Sequence, residues 1–173
     1  MKREWSLNLK QGDWFEDHIA YPWILKNIPD YFISRCSRNK KESTSGPRLT
    51  KVGKSLVLPD FRLDSEINGN SIWIDSKLKS KSFSISSRPG EKFYSIDIRA
   101  FNDYTELLSV FKSIPLLIFL GNVTDKTLWT FNFGTTIPTW HTFNNQYGKG
   151  PTPCYSESQM ECLGTWNTTG LPK

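Results

Sequence analysis

The sequence predicts an α/β (α+β) fold, a sheet flanked by helices, and three observations carry that prediction. Two strand-like stretches, residues 56–63 and 71–79, flank a polar connector holding Asn68-Gly69-Asn70. That tripeptide signals a hairpin turn, because Asn and Gly tolerate positive φ. Tyr104, Leu107, Leu108 and Phe111 recur at helical spacing and form one apolar face. Residues 114–120 are a continuous apolar run, far too short to span a membrane and the right length for a buried strand.

A length of 173 residues suits one domain with a sizeable core. Mean hydropathy is −0.48, so the chain is polar for a globular protein. Aromatic residues make up 14% and supply much of the burial. The net charge of +5 favours a polyanionic partner. Cys36, Cys154 and Cys162 are an odd number without framework spacing, which reads as reduced thiols in a cytoplasmic protein. With His141 they lack zinc-ligand spacing, so no zinc is expected. Met1-Lys2-Arg3-Glu4-Trp5 offers no apolar signal-peptide core, and neither export nor membrane contact is expected. Lys, Asn and Ser enrichment hints at an AT-rich, viral genome, in which case the compartment is the host cytoplasm.

Taken in order, Asp13 is an N-cap candidate for a helix running from Trp14 toward Tyr21. Phe15 and Ile19 share a face of it, Glu16 lies beside that stripe, and Pro22 ends or kinks the element. Residues 35–54, with Arg35, Arg38, Lys40, Lys41, Arg48, Lys51 and Lys54, read as a basic loop leading into the first strand. The hairpin follows, then residues 83–90 as an irregular excursion ending in a Pro89-Gly90 turn. Asn102 is the N-cap candidate for the amphipathic helix, which leads to strands at 115–120 and 127–133. Residues 1–137 thus form the core, and 138–173, rich in Pro, Gly, Asn and Thr, form an irregular C-terminal extension packed on it.

The chemistry concentrates on the hairpin. Strand side chains alternate, so Trp73, Asp75, Lys77 and Lys79 share one face and Ile72, Ile74, Ser76 and Leu78 the other, core-facing one. Pairing can bring Asp60, near the end of the first strand, close to Asp75. Two carboxylates offer hard oxygen ligands to Mg²⁺ or Mn²⁺, and a lysine beside them adds preorganised stabilisation of charge on a phosphate. The bland alternative is a solvated Asp75–Lys77 pair worth little.

Pro59-Asp60 followed by Asp75-Ser76-Lys77 resembles the PD-(D/E)xK nuclease superfamily, the restriction-endonuclease-like fold of many restriction enzymes, Holliday-junction resolvases and recombination exonucleases. The resemblance covers roughly residues 13–133. It implies a central mixed sheet of four to five strands in the order strand, strand, helix, strand, strand. It also implies Mg²⁺ or Mn²⁺ bound by Asp60, Asp75 and the Ser76 carbonyl, and Lys77 orienting the attacking water or steadying the phosphate. Gly12-Asp13-Trp14-Phe15-Glu16 looks like the N-terminal helix from which a glutamate, here Glu16, completes the metal site. The segment 96–104 is similar to one following the acid–lysine strand in phage and bacterial members. On that similarity Asp97, Arg99 and Tyr104 sit near the cleft, Arg99 and Tyr104 to hold substrate phosphate or support the site and Asp97 to support it from behind; the bland alternative is a local Asp97–Arg99 pair with Tyr104 in the core.

Lys79, Lys81 and Arg88 extend a basic track from the site. Lys40, Lys41 and Arg48 would act as a phosphate-contacting arm of the loop, giving salt-dependent, sequence-independent affinity. The first function expected is therefore a metal-dependent DNA nuclease, a structure-directed endonuclease of the Holliday-junction-resolvase type acting on branched DNA. Resolvases act as symmetric dimers because a junction needs two matched cuts, and the residues mark no clear dimer surface. Three alternatives stay open: a catalytically inactive nucleic-acid-binding or interaction protein on the same fold, an RNA nuclease with the same chemistry, and exonuclease rather than endonuclease action.

Overall fold

The computed structural model describes residues 2–36, 48–51, 54–143 and 150–173, without the side chains of 2–6, 48, 51 and 54. One long helical run opens the chain, where a short helix starting at Asp13 was expected. Helix α1 (Lys2–Phe15) passes through a π-turn (Glu16–Ala20) into α2 (Tyr21–Asn27). Residues 2–11 hold neither Pro nor Gly and many good helix formers, so the helix extends back past Asp13, which lies inside it. Pro22 does not end the run either. The Tyr21 N–H donates to the Glu16 carbonyl, five residues back. That wider turn accommodates a proline ring that would crowd the carbonyl four residues back in regular α geometry.

Twelve described strands follow, with one further α-helix and a short 3₁₀ turn (Glu157–Gln159). They are β1 (Tyr31–Arg35), β2 (Arg48–Lys51), β3 (Lys54–Val57), β4 (Phe61–Ser65), β5 (Ser71–Lys79), β6 (Phe83–Ile85) and β7 (Arg88–Ser95). Helix α3 (Ile98–Val110) comes next, then β8 (Leu116–Asn122), β9 (Thr127–Asn132), β10 (Thr139–Thr142), β11 (Pro151–Ser156) and β12 (Glu161–Thr165). The expected hairpin is β4–β5, with Phe61 opposite Ile74 and Gly69 at φ 69° in the turn. Its first strand is shorter than expected. Leu56 and Val57 belong to β3, which pairs with β2 in a separate two-stranded sheet, because Pro59 interrupts the run.

The fold is mixed α+β. The central sheet has six strands in the order β1-β4-β5-β8-β9-β12, one to two more than expected, and only β5–β8 is parallel. A parallel pair needs a crossover, which the β6–β7 hairpin and α3 provide. Residues 83–95 are thus a hairpin and no irregular excursion, with Pro89 and Gly90 inside β7. Strands β10, β11, β7 and β6 form a second sheet, and β12 closes the first, so the C-terminal stretch is strand-rich where irregular chain was expected. Asp97, rather than Asn102, caps α3, its side chain accepting from the Arg99 N–H at 2.8 Å.

Both faces of the central sheet are covered. Phe15, Ala20 and Ile24 of the N-terminal run pack with Phe61, Leu63, Ile74, Phe119 and Leu128 on one side. On the other, Tyr104 and Leu107 of α3 and Tyr155 of the second sheet pack on Trp73, Leu116, Ile118 and Phe131. The face bearing Trp73 and Asp75 is therefore interior, with Asp75 only 5% exposed. Gly121 lets the N-terminal run approach closely: a Cβ there would lie 2.7 Å from Phe15 Cζ. No described helix is long and apolar enough to cross a membrane.

Candidate active site at the β4–β5 junction

Pro59 shapes the site by ending a ladder. Continuing the β4–β5 register from Phe61 opposite Ile74 would set Pro59 opposite Ser76. Proline has no N–H to give the Ser76 carbonyl. The Ser76 N–H meanwhile turns to a side chain: Asp60 Oδ2 accepts from it at 2.7 Å. A strand residue points its N–H and C=O to the same side, so the Ser76 carbonyl also faces the β4 side of β5. The Cys36 N–H, just past β1, donates to the Asp60 carbonyl at 2.8 Å and fixes this corner.

Asp75 stands on the neighbouring β5 residue, almost fully buried. A buried carboxylate needs donors and a counter-charge, and it has both. The Tyr104 hydroxyl donates to Oδ2 at 2.6 Å, and Lys77 Nζ lies 2.5 Å from the same oxygen. The ammonium also sits 5.6 Å from the Tyr104 ring centroid. Burial works against the Lys77 charge, but Asp75, Tyr104 and Asp60 outweigh it and hold Lys77 well above its ordinary value. Lys77 therefore acts as a cation and hydrogen-bond donor. For Asp60, burial and then the Asp75 charge push the carboxyl up to about 8, against the pull of Lys77. Burial and the Asp75 charge likewise hold the Tyr104 hydroxyl well above its ordinary range.

Asp60, Asp75 and Lys77 thus meet as expected from their spacing, while Glu16 stands to one side. Its charge reaches Asp60, but its Oε1 accepts from Arg35 Nη2 at 2.8 Å. Among the described residues no three His, Cys, Asp or Glu side chains converge as a ready ion site. The two carboxylates that do lie together, Asp60 and Asp75, are hard oxygen donors of the kind that suit a divalent cation, with the Lys77 ammonium on Asp75.

The expected nucleic-acid contacts divide. Lys79, on the Asp75 face, is half-buried, and its ammonium makes no hydrogen bond or ion pair among the described residues. Burial and the Lys77 charge pull its ammonium down to about 8. Lys81, Arg88 and Arg99 are exposed, Arg88 facing Glu91 at 3.7 Å. Tyr104 is a correction. It is 3% exposed and spends its hydroxyl on Asp75, so it cannot also hold a substrate phosphate. Asp97 does not touch the carboxylates; it caps the helix that carries Tyr104. Lys40 and Lys41 lie outside the described residues, as does the side chain of Arg48, whose backbone belongs to β2.

Sequence reasoning missed Arg35, which it left in the basic loop. Arg35 ends β1, opposite Phe61, and its guanidinium also bonds Asp17 and lies over the Tyr21 and Phe61 rings at 4.9 and 5.6 Å. The readable signal was the run Tyr31-Phe32-Ile33 after Pro29-Asp30, aromatic and β-branched as a strand should be.

No family model matches the chain, and no curated protein matches it. Among solved structures the chain is similar to Hjc, a Holliday junction resolvase from the archaeal hyperthermophile Archaeoglobus fulgidus. The likeness covers 82% of this chain and 88% of that one, with 9% identity and a TM-score of 0.46. That degree of likeness is too low to assign an activity.

Proposed function

We propose that this chain is a divalent-metal-dependent nuclease that hydrolyses phosphodiester bonds in DNA, acting as a structure-directed endonuclease of the junction-resolving kind. One observation carries the reading: two carboxylates, Asp60 on the Ser76 N–H and Asp75 on Lys77 Nζ, lie close enough in the interior for their charges to act on each other. A surface ion pair needs no such arrangement, and burying two carboxylates side by side is costly unless a cation joins them.

Asp60, Asp75 and the Ser76 carbonyl would hold Mg²⁺ or Mn²⁺, with Glu16 as a further oxygen ligand. The ion's contribution, when bound, is to activate water and offset charge growing on the phosphate. The chain's residues do the rest. Tyr104 and Lys77 both grip Asp75 Oδ2, which fixes the carboxylate's rotamer and leaves its other oxygen for the ion. Lys77, a permanent ammonium, orients the attacking water or donates to the phosphate; it does not take the water's proton. Lys79 continues the same face and meets a neighbouring phosphate, with Lys81, Arg88 and Arg99 giving sequence-independent attraction. We place this activity in the cytoplasm of a cell, or of the host if the chain is viral, and expect a homodimer on branched DNA, where matched cuts need two sites.

Incubating the chain with labelled four-way junction, duplex, single-stranded DNA and RNA, each with Mg²⁺, Mn²⁺ or EDTA, tests this. Metal-dependent cutting, strongest on the junction, is expected. Cutting confined to RNA would make it an RNA nuclease. Binding without cutting under every metal condition would leave an inert nucleic-acid-binding scaffold.

A further inference from the structure

The Arg35 guanidinium joins the two elements that carry Glu16 and Asp60. On the helical side, Nη2 donates to Glu16 Oε1 at 2.8 Å and to Asp17 Oδ1. On the strand side, Arg35 stands opposite Phe61, the residue after Asp60, and its Cζ lies 5.6 Å from the Phe61 ring centroid. Tyr21, on the far side of the π-turn, stacks on Phe61 at 5.9 Å with planes 8° apart and also lies under the guanidinium. Asp17 and two aromatic faces therefore hold the guanidinium in place without help from Glu16. The Nη2 bond engages one oxygen of the Glu16 carboxylate, and the Glu16 charge reaches Asp60. The π-turn places Glu16 and Asp17, adjacent in sequence, against one guanidinium.

We propose that Arg35 is a positioning residue for the metal site, clamping Glu16 Oε1 so that the remaining Glu16 oxygen is set toward the ion shared by Asp60 and Asp75. This rests on the metal-dependent reading above. It assigns the corner between β1 and the π-turn a task in metal affinity, separate from cleavage.

Mn²⁺ binding to the full chain, measured by calorimetry without nucleic acid, tests it with wild type, Glu16→Gln, Arg35→Gln, Arg35→Lys and the Glu16→Gln/Arg35→Gln double variant. Partners that orient a ligand typically account for about 10–100-fold in metal affinity, so Arg35→Gln should weaken Mn²⁺ binding by about that factor. Because Arg35 acts through Glu16, Arg35→Gln should cost no more than about 2-fold in the Glu16→Gln background, the non-additivity of a coupled pair. Arg35→Lys, which keeps a cation and stem, safeguards the test if the glutamine variant does not fold. One ammonium cannot reproduce the fork, so it should still bind several-fold more weakly than wild type. A folded Arg35 variant that binds Mn²⁺ as wild type does, or losses that multiply in the double variant, would overturn the inference and leave the nuclease reading standing. A wild type that binds no Mn²⁺ would overturn both.

Discussion

The Tyr104 hydroxyl reaches across from α3 to Asp75 on β5, donating to Oδ2 at 2.6 Å, on the oxygen that Lys77 also holds. Both partners are buried, so this is a charge-assisted bond in a low-dielectric setting, worth about 1.5–3 kcal/mol. It makes a helix on one face of the sheet responsible for the aim of a carboxylate on the strand.

Tyr104→Phe keeps the ring and deletes only that donor. The variant should fold, lose about 1.5–3 kcal/mol in denaturant unfolding, and bind Mn²⁺ about 10-fold more weakly. Wild-type affinity in a folded Tyr104→Phe protein would mean that Lys77 alone aims Asp75.

Lys79 supplies a pH signature. Its ammonium, pulled down to about 8, is present below that pH and lost above it. Affinity for a short duplex, followed by fluorescence anisotropy without metal, should hold steady up to about pH 8 and fall beyond it. Lys79→Arg should abolish the fall, since arginine stays charged. The same shift acts on folding. The folded chain holds this proton less tightly than an unfolded one, whose lysine titrates near 10.5, so stability should rise as pH climbs from about 8 toward that value.

Asp60 sets function against stability. Burial beside Asp75 disfavours its ionised form, whereas asparagine is neutral at every pH and can still accept from the Ser76 N–H. Above pH 8, Asp60→Asn should raise the Tm of the metal-free chain by about 2–4 °C, which is about 1 kcal/mol for a domain of this size. It should also abolish Mn²⁺ binding. A lowered Tm with intact metal binding would remove Asp60 from the site.

Gly121 on β8 and Phe15, the residue before Glu16, are in close contact across the sheet face. Gly121→Ala would force the Phe15 ring aside, an overpacking that costs about 1–3 kcal/mol. Thermal unfolding should show the loss, and adding Phe15→Leu should restore part of it by making room. No change in Tm on Gly121→Ala would show that the N-terminal run shifts freely.

How much could be read in advance depended on the kind of signal. The β4–β5 hairpin, the apolar face of α3 and the Asp60–Asp75–Lys77 constellation all rest on local spacing, which periodicity and turn chemistry expose. The start of α1 was lost because Gly12-Asp13 looks like a helix boundary, while the helix before it is held by ordinary propensity. The second sheet escaped notice because β7 carries Pro89 and Gly90, usual marks of a turn, and because β11 joins β7 through pairing distant in sequence. The Tyr104–Asp75 bond spans 29 residues and the Arg35–Glu16 bond 19, and neither spacing follows from any local pattern. Glu16 was picked out by position, but its capture by Arg35 is a property of the assembled fold.

The most direct test of the central claim is hydrolysis of a labelled four-way junction in Mg²⁺ by wild type, Asp75→Ala and Lys77→Ala, purified identically. The account predicts cutting by wild type that EDTA abolishes, and a loss of at least about 100-fold in each variant, the scale expected for removing one preorganised charge-stabilising group. Cutting that survives both substitutions, or a wild type that binds the junction and never cuts it, would contradict it.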